Sequence, residues 1–226
     1  MQPALHMLLL LLMSNAVVLD WDGVIFCDDL YREDLFRMLA NYVPYSEVER
    51  LYQTTKDSNG FNDRALATAV AKLAGANIDH VIHAANDVLE QTSATYLYSD
   101  ATHFIHQAAQ ANIPVYMLTA GNKRIQTRKI TCSNLAHLFT DVVIVPASST
   151  ETAKETVLKT IAQEYTSILF FDDRLSTIVH LQNLRHEIAK VVPVYVNRID
   201  AETINEPKQV SELTIDWVKQ HFAYAK

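Results

Sequence analysis

The chain has 226 residues, of which 49% are hydrophobic and 20% charged, a length and balance that exclude wholesale disorder and suit one large domain or a core with an insert. Nineteen basic against 26 acidic residues give a formal charge of −7, so a nucleic-acid backbone meets net repulsion and no nucleic-acid partner is expected. Two cysteines, Cys27 and Cys132, and the lack of any N-x-[ST] sequon exclude a disulfide framework, and the four glycines, at 23, 60, 75 and 121, form neither G-x-G-x-x-G nor G-x-x-x-x-G-K-[ST].

Ala4–Met13 reads ALHMLLLLLM, long enough for the core of a signal peptide but short of the ~20 residues that span a bilayer. No Lys or Arg precedes Arg32, so the positive flank of a secretory signal is missing. Residues 1–13 are therefore read as an apolar extension and the compartment as cytoplasmic, with no membrane partner. Export or anchoring through this segment is the alternative.

A strand is predicted at Ala16–Asp20, followed by four helical patterns at 30–42, 46–56, 61–74 and 79–95. Beyond Asp100 the elements alternate: helix 100–111, strand Pro114–Leu118, helix 122–132, strand Asp141–Val145, helix 152–164, strand Ser167–Phe171, helix 175–186, strand Val191–Val196, helix 208–222. The segments VVL, VYML, VVIV, ILFF and VVPVYV are unbroken apolar runs, as strands covered on both faces require. The expected fold is α/β, a Rossmann-like parallel sheet of about five strands flanked by helices. Residues 14–27 and 99–226 form this core, and the helical stretch 28–98 is inserted after the first strand as a cap domain.

In such sheets ligands sit beyond the carboxyl ends of the strands. The first strand ends in Asp20, with Asp22 two residues on and Gly23 where the chain must turn. The second ends in Thr119, followed by Ala120 and Gly121 and then by a helix whose first N–H groups suit an anion. The fourth ends in Asp172 and Asp173. Four carboxylates on one rim repel and need a counter-charge, and an oxygen set without His or Cys selects a hard cation, Mg²⁺ ahead of Zn²⁺. Lys154, near the start of the helix before the fourth strand, can reach the same rim.

Asp20-Trp21-Asp22-Gly23-Val24, the strand ending in Thr119, Lys154, and Phe170-Phe171-Asp172-Asp173 together resemble the four motifs of the haloacid-dehalogenase-like (HAD) hydrolase superfamily. The following helical insert is similar to the branch of beta-phosphoglucomutase-like and phosphatase-like members. The resemblance implies a Mg²⁺-dependent phosphohydrolase in which Asp20 is the nucleophile and a metal ligand. It makes Asp22 the general acid and base, lending its backbone carbonyl to the metal. Thr119, with Ala120 and Gly121, would hold phosphoryl oxygens, Lys154 would neutralise charge, and Asp172 and Asp173 would bind Mg²⁺ directly and through water. The expected partner is a small phosphorylated metabolite, since a four-helix lid that excludes water also excludes a folded protein. A phosphotransferase or mutase using the same residues, C–Cl hydrolysis, and a non-catalytic binding protein are the rivals; the chain does not disclose its oligomeric state.

Lys159 competes with Lys154, whose place near the helix start favours it. Arg174 is either a ligand contact or a salt-bridge partner for Asp173, the latter preferred. His80/His83 and His103/His106 sit three apart on predicted helices without a third metal ligand and are read as surface pairs. Tyr96 and Tyr98 are read as hinge packing, Cys27 as a small buried hydrophobe, and Lys56, Asn59 and Arg64 as polar contacts that would choose the substrate.

Overall fold

The computed structural model describes residues 15–56, 60–198 and 209–224. In chain order these form β1 (Asn15–Leu19), α1 (Asp28–Leu39), α2 (Tyr45–Thr55), α3 (Asp63–Ala74), α4 (Ile78–Thr92), α5 (Ser99–Gln110), β2 (Val115–Ala120), α6 (Lys123–Cys132) and β3 (Asp141–Val145). They continue as α7 (Thr150–Ile161), β4 (Ser167–Asp172), α8 (Leu175–Asn183), β5 (Val191–Val196), β6 (Gln209–Val210) and α9 (Ile215–Tyr224). All strands pair in parallel in the order β3-β2-β1-β4-β5-β6. The expected sheet is present, with one short strand added at its edge.

β1 lies between β2 and β4, with Leu19 opposite both Met117 and Phe171. Every residue of β1 is buried, which explains its unbroken apolar run. Strand periodicity then divides the core into two. Val17, Leu19, Met117, Leu169 and Phe171 face one way, and their cluster runs on into Leu35, Val48, Leu66 and Val81 of the helical block. Ala16, Val18, Leu118, Ile168 and Phe170 face the other way, against Leu158 and Ile161 of α7 and Ile178 and Leu181 of α8. The inserted helices α1–α4 thus share one apolar interior with a face of the sheet.

Local chemistry sets the ends of these helices. Asn62 accepts from the Ala65 amide (3.1 Å) and Asn77 from that of His80 (2.9 Å), so each caps a helix start. Gly75 closes α3 at φ 65°, a left-handed turn that costs glycine little.

The helix predicted at 208–222 is corrected. Gln209 and Val210 pair with Tyr195 and Val196 as β6, and the helix begins only at Ile215. Asp100 accepts from the Leu213 amide (2.7 Å) and Arg198 donates to the Ser211 carbonyl (2.9 Å), bonds that hold 211–213 as a turn. No helix among the described residues is long and apolar enough to cross a membrane, and the apolar run at 4–13 lies outside those residues.

A polar clasp joins the insert to the core. Asp63, 1% exposed at the start of α3, receives the guanidinium groups of Arg124 and Arg128 from α6, the latter at 3.0 Å. Arg128 also reaches Glu90 of α4 at 3.2 Å. Asp63→Ala should therefore destabilise the fold by about 1–3 kcal/mol, less than the ~3–5 kcal/mol for a fully buried broken pair, because both arginines can turn to water. Urea unfolding of the two proteins checks this, with an unchanged midpoint as the contrary result.

Candidate active site

The strand ends converge as the parallel topology requires. Asp20 follows β1 directly, and its amide donates to the Phe171 carbonyl (2.9 Å), so it keeps the register of β4. Asp172 closes β4 and is wholly buried. Between them lies Lys154 of α7, also wholly buried, with Nζ 2.8 Å from Asp20 Oδ2 and 2.7 Å from Asp172 Oδ2. The remaining oxygens accept backbone amides, Asp20 Oδ1 from Trp21 (2.7 Å) and Asp172 Oδ1 from Arg174 (2.8 Å). One cation thus serves two carboxylates, and every oxygen has a partner.

Burial raises the Asp20 carboxyl above its ordinary value, opposed by Lys154 and assisted by Asp172. Burial by itself would lower Lys154, but the two carboxylates overcome it and hold the ammonium charged. Asp173, the third acid, has no buried ion pair of this kind, and only the charge of the exposed Arg174 draws its carboxyl down. Burial first, then the charges of Asp20 and Asp172, push its carboxyl up to about 8.

Gly23 makes room for this arrangement. It turns at φ 72°, and a Cβ there would lie 2.0 Å from Asp173 Oδ2, so only glycine fits on both counts. Oxygens of Asp20, Asp172 and Asp173 lie within 4.8 Å of one another. Such an all-oxygen set fits a hard divalent cation.

Asp22 stands apart from that cluster. The turn after β1 closes through amides of Ile25 and Phe26 donating to the Trp21 carbonyl (2.9 Å each) and of Gly23 donating to Phe26 (2.8 Å). It aims the Asp22 carboxylate at α6, where Lys129 Nζ donates to Oδ1 and Gln126 Nε2 to Oδ2, each at 2.8 Å. Burial raises the Asp22 carboxyl, against the pull of Lys129. Gln126 also donates to Thr119 Oγ1 (2.9 Å), so Thr119 and Asp22 meet through one amide.

The anion seat expected at the start of α6 is corrected. Asn122 accepts from the amides of Arg124 (3.1 Å) and Ile125 (3.4 Å), and the Gly121 amide donates to Val145 (3.0 Å). The helix caps itself, as Asn at this position does. Ala120 and Gly121 still line a cavity of about 270 Å³ with Asp22, Tyr52, Lys56 and Arg174. A neighbouring cavity of about 360 Å³ takes Asp22, Asp173, Cys27, Tyr98 and Arg198, and Arg174 borders both.

Among the remaining candidates, Lys159 pairs with Glu155 (2.7 Å) and Glu187 (2.8 Å), away from the rim. Arg174 forms no ion pair with Asp173 among the described residues and is exposed at the mouth, which corrects the preferred reading of it. His80, His83, His103 and His106 are exposed, and among the described residues only the three acids could gather a metal. Tyr96 packs against Phe26 and Tyr31 as expected, whereas Tyr98 lies under Arg198 (4.3 Å) facing the larger cavity. Cys27 is half-buried at that mouth. Lys56 lies over Tyr52 (4.0 Å) in the smaller cavity, Arg64 lines a separate groove with Thr68 and Lys72, and Asn59 lies outside the described residues. Sequence reasoning missed Gln126 and Lys129. Their spacing of three on a helix that follows a site strand was the available signal.

The chain belongs to the haloacid dehalogenase-like hydrolase family, whose model matches residues 15–210. Among curated protein sequences none matches it. A structure described as a haloacid dehalogenase-like hydrolase, from Burkholderia xenovorans LB400, superposes with a TM-score of 0.67 at 15% identity, over 88% of this chain and 93% of that one. The HAD-hydrolase YfnB from Bacillus subtilis, bound to magnesium, gives 0.60 at 16% identity over 93% and 99%. A predicted phosphoglycolate phosphatase from Haemophilus somnus gives 0.55 at 13% identity over 93% and 98%. At these identities the likeness establishes the fold.

The charge on Asp173 has a measurable consequence without metal. Its carboxyl is protonated in the folded chain up to about pH 8, while an unfolded Asp loses its proton near pH 4. Folding therefore takes up a proton in that window, and the stability is lost as pH rises through it. In EDTA the thermal midpoint should fall between pH 5 and 8, and Asp173→Asn should reduce the slope. An equal slope in the variant would contradict the assignment.

Proposed function

We propose that the protein is a Mg²⁺-dependent phosphohydrolase that acts on small phosphorylated metabolites through a phosphoaspartyl intermediate on Asp20. The observation that carries this is the buried Lys154, bridging Asp20 and Asp172 beside Asp173. Phosphoryl transfer needs in-line positioning and charge neutralisation more than bond-making chemistry.

In the first step an Asp20 oxygen attacks phosphorus, the bond to the substrate oxygen breaks, and Asp22 gives that oxygen its proton. In the second, water attacks the same phosphorus while Asp22 takes up a proton, the bond to Asp20 breaks, and phosphate leaves. Lys154 holds Asp20 ready and offsets its charge, and the Thr119 hydroxyl, beside the wall of Ala120 and Gly121, positions a phosphoryl oxygen. Mg²⁺ on Asp20, Asp172, Asp173 and the Asp22 carbonyl would neutralise the phosphoryl charge. A halide leaves without a proton, whereas an alkoxide needs one, so the built surroundings of Asp22 favour a phosphoester over a C–Cl bond.

Residues 28–98 serve as the cap. Tyr52, Lys56 and Phe61 of this block close the smaller cavity over the sheet end, and its roughly 270 Å³ suits a small metabolite. Free Cys27 and Cys132 accord with a reducing, cytoplasmic setting.

Asp20→Asn should lower turnover of phosphomonoesters about a thousandfold or more while the chain stays folded. A screen of sugar phosphates, nucleotides and phosphorylated acids with and without Mg²⁺ measures this, and retention of more than a few per cent removes Asp20 as nucleophile. Mg²⁺ should also raise the thermal midpoint of the wild type, and Asp172→Ala should erase that shift. A rise with Zn²⁺ but none with Mg²⁺ would overturn the metal assignment.

A further inference from the structure

We infer that Lys129 is a positioning residue, acting with Gln126 to fix the rotamer of Asp22 so that its carboxyl faces the leaving oxygen. This rests on Asp22 serving as acid and base in the phosphoryl reaction. Lys129 is 2% exposed, and its Nζ lies 2.8 Å from Asp22 Oδ1 and 2.5 Å from Asp28 Oδ1. The rings of Phe26 and Tyr31 sit 4.9 and 5.6 Å from it. An ammonium group is costly to bury, and an all-apolar set in place of the whole Asp22–Lys129–Asp28 cluster would be about as stable, so the cluster points to a geometric task.

That task is visible in the pairing. Asp22 Oδ1 is held by Lys129 and Oδ2 by Gln126, residues three apart on one face of α6. With both oxygens fixed from a rigid helix, the carboxylate cannot rotate freely. Gln126 Nε2 further donates to Thr119 Oγ1 (2.9 Å), while Gln126 Oε1 is buried without a partner among the described residues. Since Asp22, Thr119 and the Ala120 carbonyl all accept from Nε2, the amide is committed to one orientation and leaves an acceptor unpaired. Local rules are broken in this way where function demands the geometry. Asp28 is the first residue of α1, so the Asp22–Lys129–Asp28 string also ties the acid to the start of the helical insert.

The test compares wild type, Lys129→Met, Lys129→Arg and Gln126→Leu, with Mg²⁺, on an aryl phosphate and an alkyl phosphate. An aryl oxide leaves unaided, whereas an alkoxide needs the proton from Asp22. Lys129→Met should lower kcat for the alkyl ester about 100-fold with KM nearly unchanged. Formation of the phosphoenzyme from the aryl ester should survive, and the adduct should accumulate in quenched intact-mass spectra because water is poorly activated. Lys129→Arg should recover part of the loss. Equal losses on both esters with no adduct would make Lys129 merely structural and overturn the inference. Should Lys129→Met fail to fold, Gln126→Leu decides, since it removes the other clamp and should give the same leaving-group signature in milder form. A wild type without phosphoester turnover would sink the functional reading and this inference together, whereas wild-type turnover with no such signature in the variants sinks this inference alone.

Discussion

The site depends on one interaction, the burial of Lys154 between Asp20 and Asp172. Parallel strands side by side bring their terminal residues together, so β1 and β4 necessarily place two carboxylates within reach of each other. Without a cation, burying both would drive protons onto them and quench the nucleophile proposed at Asp20. Lys154 keeps that charge tolerable from the opposite face of the sheet, where α7 packs against Phe170 and Ile168. Asp173 is compensated only in part, by Arg174, and its carboxyl is pushed up to about 8. The hard cation proposed for this rim would supply the missing positive charge.

Helix α6 carries the second half of the arrangement. Its N-terminus continues from Thr119–Gly121, its inner face clamps Asp22 through Gln126 and Lys129, and its outer arginines grip Asp63 of the insert. Strand end, Asp22 and helical insert therefore share a single rigid element. Movement of the insert on the sheet would be felt at Asp22 through Asp28 and Lys129. The two apolar clusters reinforce this division, since the helical insert shares its interior with one face of the sheet while Lys154 is anchored from the other.

The sheet was legible in the sequence because each long strand is an unbroken apolar run whose length leaves no room for a helix. Asp20, Asp172 and Lys154 were legible for a related reason: position at a strand end or helix start is itself local information. Lys129 and Gln126 were not, since a polar side chain on an amphipathic helix faces water unless tertiary packing decides otherwise, and that packing comes from residues about a hundred positions away. The α6 anion seat failed on one side chain, Asn122, whose capping bonds occupy the amides a ligand would need. Arg174 differs from its preferred reading because adjacency in sequence does not by itself make an ion pair: its charge draws the Asp173 carboxyl down, but the side chain is exposed and forms no pair with it among the described residues. β6 escaped notice because two residues carry no period.

The proposed mechanism requires Asp20 to carry the phosphoryl group. Rapid quenching of an Asp22→Asn enzyme during turnover of an aryl phosphate, followed by peptide mapping, reads this directly. A phosphoryl adduct on the peptide containing Asp20, lost when Asp20 is also changed to Asn, is the expected result. An adduct on another residue, or sustained turnover with no adduct on any, would contradict it.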